Sequence, residues 1–520
     1  MADLPKGLGN MKELLNRMKA AKATWNLWRS LYQEAMDFAA PQRSTFHEFS
    51  PGQRKNRHIF DSTAIVGLEQ FANRIQHSVL PPWRKWMALE AGSLVPEEDK
   101  KEVAGELEVA TETFFKHLNH SNFVTELTPS LSDYGLGTGA IMVEEGQFGE
   151  EDALKFSNVP LAELYIEDLK NVWREQEIPC GKIQDNWPEA ELPTSIVSMV
   201  QNDPLKKIKI LNGMVHNLQD KKYYHLIIYE KEEKLLFSQA FDTQRLIVFR
   251  WHVTPGEVYG RGPILQVLAD IRTLNKVKEL TLQNAAIQMV GLYTGVNDGI
   301  FNPNTVQVVP GAIIPVGQNG TQNPSLQALP RSGDIGLSSF VIEDMKTNIR
   351  KSLFVEPLGD LQDSVRSATE MMLRNQEMLK QAGAALGRLK TELVEPFVAA
   401  CVDILSSRGV IAPIVVDGKD VSLKQTSPLA KAEDQEDFQS SQVWFNSVVE
   451  LGQLLGPEAI LGTVRVEELA GYWADKLGVP EELIRSKAER KTMAEAAMQA
   501  AETQMLSGQE GQGGGQAVQP

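Results

Sequence analysis

The sequence predicts an α+β fold, mainly helical, with antiparallel strands gathered into one central block. Apolar residues recur at three- and four-residue spacing from Met11 to Tyr134 and again beyond Val365, the period of helices packed on one face. Between Ala140 and Val253 that period gives way to short β-branched and aromatic runs separated by turn residues. From 260 to 372 two helical runs flank an excursion rich in glycine, proline and asparagine. A chain of 520 residues exceeds one ordinary core and should divide into roughly two to four packing units.

The first helix carries Met11, Leu14, Leu15, Met18, Trp25, Trp28, Leu31, Tyr32 and Ala35 on one stripe and stops at Pro41. Asp61-Ser62-Thr63 offers N-cap chemistry for a second helix with Ile65, Leu68, Phe71, Ala72, Ile75 and Val79 on one face, ended by Pro81-Pro82. Helical runs follow over about 97–119 and 122–134, and Gly135 to Gly139 breaks the period. Ala140–Val143, Leu161–Ile166, Tyr223–Tyr229, Lys234–Phe241 and Leu246–Trp251 read as strands.

Helix returns at Gly262-Pro263, with Leu265, Leu268, Ile271 and Leu274, and runs to Val290. The excursion over 291–333 reads as a small α/β or β insertion, with Thr305–Val309 and Ala312–Val316 as short strands. A second helical run starts near Asp334, carries Phe340, Ile342, Met345 and Ile349, and ends before Pro357. A long helix is expected over about 365–407, interrupted by Pro396 and open to bending at Gly383 or Gly387, then a strand at Val410–Val416. From Pro428 onward the pattern is helical and acidic. The last residues, 507–520, hold almost nothing apolar and should be disordered.

The formal charge of −16 argues against gripping nucleic acid with the whole surface, which needs clustered lysine and arginine. Residues 430–520 contribute 7 Lys/Arg against 15 Asp/Glu, a net of 7 − 15 = −8. An acidic channel lining would still let a duplex slide without sticking. Cys180 and Cys401 lack any metal or redox spacing, so neither a disulfide framework nor a zinc cluster is expected, and a reducing, cytoplasmic setting fits. The N-terminal stretch carries Lys6, Lys12, Arg17, Lys19 and Lys22 through an amphipathic pattern, unlike a secretory signal, and no run reaches the length of a membrane span.

The motifs that might announce chemistry read better as structure. Gly135 to Gly139 follows a helix and precedes a strand, the reverse of a dinucleotide loop. Gly260-Arg261-Gly262-Pro263 lacks the Lys-Ser/Thr ending of a phosphate loop, so the chain is not expected to be a nucleotide-hydrolysing motor. His117 and His120 could share a helix face, but a third metal ligand is missing. No nucleophile elbow exists, and pairs such as Glu144-Glu145 or Glu481-Glu482 suit a solvated face. No catalytic, cofactor or metal residue is assigned.

Several segments, in this order and spacing, resemble the portal (head-to-tail connector) proteins of T7-like short-tailed bacteriophages. They are Phe38 to Arg43, Leu68–Leu80 with Pro81-Pro82-Trp83-Arg84-Lys85-Trp86-Met87, Tyr134 to Gly139, Phe249-Arg250-Trp251, Glu257 to Pro263, and Arg366-Ser367-Ala368-Thr369-Glu370. The resemblance spans about 25–420. It implies a portal fold assembled as a ring of about twelve copies by heterologous contacts that close after a fixed rotation. It further implies a wing over 1–260 and 366–426, stem helices over 261–290 and 334–352, a clip over 291–333, a tunnel loop over 353–365 and a helical crown over 427–506.

On that resemblance the ring sits at a unique capsid vertex of the virion, is made in the host cytoplasm, and is not an enzyme. Its channel passes double-stranded DNA in packaging and ejection. Its implied partners are the terminase large subunit, tail adaptor and nozzle proteins, capsid protein, scaffolding protein and internal core proteins. Glu356, Pro357, Leu358, Gly359, Asp360, Leu361 and Asp363 would line the tunnel loop. Arg272, Lys276 and Lys278 on the first stem helix, with Lys346, Arg350 and Lys351 on the second, could face DNA, although Glu343 and Asp344 one turn earlier favour ion pairing. Another capsid or scaffold protein, or a nucleic-acid-processing enzyme, are the competing readings.

Overall fold

A computed structural model describes residues 4–43, 46, 54–96, 100–146, 153–290, four short strands between 293 and 328, then 335–355, 383–413, 421–426, 428–455, 464 and 466–477. The chain divides into two compact units, Met1–Lys424 and Gln425–Pro520.

In the first unit α1 (Met11–Ala39) begins at a capping box, in which the Glu13 amide donates to Asn10 Oδ1 at 2.9 Å and the Asn10 amide to Glu13 Oε2 at 3.0 Å. Its stripe of Leu14, Leu15, Met18, Trp25 and Tyr32 is buried. The helix α2 (Thr63–Val79), strand β1 (Met87–Ala91), and helices α3 (Lys100–His120) and α4 (Phe123–Leu136) follow. At the start of α2 it is Asp61, whose Oδ1 accepts from the Thr63 amide at 2.8 Å, that caps; Ser62 makes no side-chain cap bond.

Eight strands occupy the block where five were expected: β2 (Thr138–Glu145), β3 (Leu154–Asn158), β4 (Leu164–Ile166), β5 (Val172–Pro179), β6 (Lys207–His216), β7 (Tyr223–Tyr229), β8 (Lys234–Phe241) and β9 (Leu246–Arg250). Leu161–Glu163 is a 3-10 turn, so only the second half of that predicted strand is extended. The short helices α5 (Ile183–Asn186) and α6 (Thr194–Asn202) lie between β5 and β6. The strands form two antiparallel sheets, ordered β3-β2-β9 and β4-β5-β6-β7-β8.

Residues paired in register share a face. Met142, Glu144, Lys155 and Ser157 therefore lie on one face of the three-stranded sheet, and Ile141, Val143, Phe156 and Asn158 on the other. Phe156 packs on Phe123 of α4 and on Phe397, so helices cover that second face. Its outer edge is capped by side chains: Asn122 accepts from the Phe156 amide and donates to its carbonyl, at 2.9 and 2.8 Å, and Glu126 accepts from the Asn158 amide at 2.8 Å. Such capping removes the open ladder groups through which an edge strand recruits other chains.

Beyond β9, α7 (Pro263–Gln266) is a single turn; α8 (Leu268–Val290) begins after a break at Val267, so the predicted helix is two. Short antiparallel pairs follow: β10 (Tyr293–Gly295), β11 (Asn319–Gly320), β12 (Asn323–Pro324) and β13 (Leu326–Ala328), with β10 on β13 and β11 on β12. The strands expected at Thr305–Val309 and Ala312–Val316 lie outside the described residues, as does the segment 507–520. Helix α9 (Ile335–Ser352) returns the chain.

The later helix is described from Gly383, continues through Gly387 and widens into a π turn at Lys390–Val394 before α10 (Glu395–Ser407); the part expected before 383 lies outside the described residues. Pro396 has no amide to give the carbonyl one turn back, and the π turn accommodates that loss. The strand expected at Val410–Val416 is not formed over 410–413, and the rest of it lies outside the described residues. Gly409, at φ +70°, ends α10, and the amides of Val410 and Ile411 both donate to the Leu405 carbonyl, which withdraws them from any ladder. The strand forms later, as β14 (Val421–Gln425), beside β1.

The second unit holds α11 (Pro428–Leu455) and α12 (Val466–Leu477). Trp473 of α12 packs on Phe438 and Phe445, with centroids at 5.7 and 5.3 Å, and its indole N–H donates to Ser441 at 2.8 Å.

Candidate functional site

Helices α8 and α9 pack on each other, and the Ser352 hydroxyl donates to the Pro263 carbonyl at 3.3 Å, which sets the end of α9 beside the start of α7 and so makes the pair antiparallel. Burial ends abruptly along both. Leu268, Ile271, Leu274 and Asn275 of α8 are buried, but no residue from Lys276 to Ala286 is; Ile349 and Leu353 are buried, but no residue from Ser339 to Asn348 is. The pair therefore leaves the body as a two-helix arm. Leu280, Leu282 and Phe340 stand exposed on it, Phe340 by 74%.

The root of the arm is polar. Asn275 Oδ1 accepts from the amides of Phe60 and Asp61 at 2.6 and 3.2 Å, while its Nδ2 donates to the His58 carbonyl at 2.8 Å. Lys278 reaches the buried Asp61 carboxylate at 2.8 Å. Burial alone would raise the Asp61 carboxyl, but hydrogen bonds from Lys278 and Thr63 outweigh it and hold the group below its ordinary value. The sequence marks Lys278 only as a candidate DNA contact and Asp61 only as a helix cap, and it does not single out Asn275; the available signal is an asparagine within the apolar stripe of α8.

The six basic residues fall into two groups. Lys278 is tied to Asp61, and Lys346 and Arg350 both meet Glu343, at 3.8 and 3.5 Å. Arg272 pairs with Glu34 at 3.2 Å and Lys276 with Glu279 at 2.9 Å, yet both heads stay more than half exposed. Lys351 is exposed. Glu356, Pro357, Leu358, Gly359, Asp360, Leu361 and Asp363 lie outside the described residues, so of the expected tunnel loop only 353–355 can be placed.

The two glycine segments that mimic nucleotide loops pack against each other. A Cβ on Gly137 would stand 2.2 Å from the Gly260 carbonyl oxygen, one on Gly260 2.2 Å from that of Gly137, and one on Gly262 2.3 Å from that of Gly135. Tyr32 of α1 closes the junction, donating to the Gly260 carbonyl and lying 3.2 Å from the Thr138 hydroxyl. Arg250 is held alongside by Glu392 in the π turn, at 2.7 Å. Among the described residues no cluster of side chains suits a metal ion, and both cysteines are buried.

A cleft of about 830 Å³ separates the uncovered face of the three-stranded sheet from the five-stranded one; Glu144, Lys155, Arg174, Asn212, His225 and Arg245 are among its lining. His225 is buried with Nε2 2.8 Å from Asn212 Oδ1, and burial pushes its pKa down to about 4. Asp133 is the opposite case: burial pushes it up to about 6, only partly countered by Arg43 at 3.2 Å. Asp133 stabilises the fold below its ordinary value of 3.8 and that contribution is lost as pH rises to about 6. His225 contributes stability above 6.5 that is lost as pH falls to about 4. The two groups therefore pull stability in opposite directions between pH 4 and 6. Urea titration of Asp133→Asn should then show stability rising more steeply with pH across that window than it does in the wild type. An Asp133→Asn profile no steeper than the wild type would refute the raised Asp133 carboxyl.

The model of the bacteriophage head to tail connecting protein family matches residues 11–484, a span that contains the arm, both sheets and the glycine junction. The chain belongs to this family. Among proteins similar to this connector-family member is one from Bordetella phage BPP-1 described as "Probable portal protein", 21% identical over 505 residues, covering 91% of this chain and 88% of that relative. Among the described residues of the connector chain, no helix is long and apolar enough to cross a membrane.

Proposed function

We propose that the chain is the portal of a short-tailed phage: a closed ring of about twelve copies at one capsid vertex, structural rather than catalytic, through which double-stranded DNA is packaged and ejected. The observation that carries this reading is the two-helix arm in a member of the head-to-tail connecting family. An arm with no buried side chain over most of its length and with Leu280, Leu282 and Phe340 exposed is an element that neighbouring copies would cover.

The arm is the stem, the insertion over 291–333 the clip that meets terminase and later the tail adaptors, and the helical second unit the crown. Arg272 and Lys276, each paired with a carboxylate yet more than half exposed, and the exposed Lys351 are the stem charges best suited to meet phosphate; Lys278, Lys346 and Arg350 are paired and more covered. The acidic residues Glu356, Asp360 and Asp363, with Leu358 and Leu361 as an apolar constriction, would favour sliding passage over tight binding.

Native mass measurement with negative-stain imaging of the purified protein should show closed rings near roughly 0.7 MDa, about twelve times the 57.8 kDa chain. A stable monomer overturns the ring. Shells or filaments would instead favour a capsid or scaffold protein.

A further inference from the structure

Helix α9 leaves its last turn through two bonds, from the Phe354 amide to the Lys351 carbonyl at 3.0 Å and from the Val355 amide to the Arg350 carbonyl at 2.8 Å. This is the Schellman termination, which needs a left-handed residue just past the helix. Helix α10 ends with the same pair of bonds, Gly409 to Ser406 and Val410 to Leu405, both at 2.9 Å, and there glycine supplies the conformation at φ +70°. At α9 the same position is filled by Phe354 at φ +57°. A phenylalanine Cβ crowds the following carbonyl in this region, so the turn at α9 is strained where the turn at α10 is not.

The strain is held from outside the helix. Arg74 of α2 donates to the Phe354 carbonyl. The Phe354 ring packs on Trp251 with centroids 5.8 Å apart. Leu353, fully buried, fills the space a side chain at Gly67 would need: a Cβ there would stand 2.6 Å from Leu353 Cδ1. Two consecutive residues at the root of the arm, Leu353 and Phe354, are thus pinned to α2 and to the end of β9, and the second is in a conformation it would not choose alone.

We propose that Leu353-Phe354-Val355 is a strained clasp, closed by Arg74, at which the chain leaving the arm can unhook from the body while arm and body stay folded. Strain at Phe354 lowers the work of opening, and Arg74 on α2 sets how often opening occurs. Because Asp61, which caps the start of α2, also receives the arm through Lys278, the clasp makes α2 the element that senses displacement at either root of the arm.

Hydrogen exchange on the purified full chain tests this without assuming any assembly. Phe354→Gly and Phe354→Ala remove the same ring and differ only in backbone preference. With residue 354 left-handed, the Leu353 and Val355 amides should exchange roughly five- to thirty-fold more slowly in the glycine variant than in the alanine variant. Faster exchange in the glycine variant would mean that residue 354 is right-handed and would overturn the proposal. Arg74→Met should speed exchange of the same two amides by roughly ten-fold or more, leaving those of 340–348 unchanged. Unchanged clasp amides, or equal acceleration along the whole arm, would also overturn it. Should Arg74→Met fail to fold, Arg74→Lys keeps the charge on α2 and is read by the same amides and the same criteria.

Discussion

Replacing Gly260 by alanine should abolish folding of the first unit. The new Cβ would lie 2.2 Å from the Gly137 carbonyl oxygen and 3.0 Å from the Arg250 Cβ, and neither obstacle is the movable end of a side chain. Relief requires separating the segment after α4 from the segment before α7, which breaks the bonds from Trp251 N to Gly137 O and from Gly262 N to Leu136 O, at 2.9 and 3.0 Å, and the Tyr32 contact. A loss above about 4 kcal/mol is expected, the range reserved for backbone clash in a packed core. Gly105→Ala is the matched control, since a Cβ on that glycine of α3 meets nothing within 4 Å and should stabilise by about 0.5–1 kcal/mol. Soluble yield and urea midpoints read both; a Gly260→Ala protein within about 1 kcal/mol of wild type would be incompatible with the junction.

Glu392→Ala should cost about 3–5 kcal/mol, because it leaves the Arg250 guanidinium buried without its counter-charge. The carboxylate takes Arg250 Nη2 at 2.7 Å, Nε at 3.2 Å and the backbone amide at 2.9 Å, with the two side chains only 14% and 9% exposed. Removing both charges with Arg250→Met and Glu392→Leu should recover part of that loss. A double-mutant cycle by urea denaturation separates the pair from its surroundings, and a single-variant loss under about 1 kcal/mol would show that the π turn does not depend on this ion pair.

Helices were legible where one face is apolar throughout, as in α1 and α2: Leu14, Leu15, Met18, Trp25, Tyr32 and Ala35, and Leu68, Phe71, Ala72, Ile75 and Val79, are buried as the period predicts, while Met11, Trp28, Leu31 and Ile65 at the margins are only half-buried. Strands β5 and β6 were not. An Asn-Gly pair generally favours a hairpin turn, yet Asn212-Gly213 lies in mid-strand, where Gly213 makes room for the Trp173 ring: a Cβ would stand 2.4 Å from that ring. The charges of β5 disguise it likewise, because Glu175 meets Lys22 of α1 and Lys209 of β6, partners no local pattern reveals. For the candidate site, residue type identified Arg272 and Lys278, but Glu34 and Asp61, which decide how much charge each keeps, are more than two hundred positions away in sequence. The clasp was illegible for a different reason: nothing in a sequence marks phenylalanine where a helix end calls for glycine.

The glycine junction also dictates an order of events during biosynthesis. It joins residues 135–137 to 260–262, so the apolar faces of the N-terminal helices cannot be sealed until the ribosome has delivered the whole β block. At about 5–20 residues per second that delay is roughly six to twenty-five seconds. The five-stranded sheet escapes it, since β4 to β8 pair strictly in order, each with its neighbour in sequence. Low contact order makes this meander the natural first nucleus. Trp25 and Tyr32 of α1 must meanwhile wait uncovered, making the nascent N-terminal helices the part of this protein most dependent on chaperones.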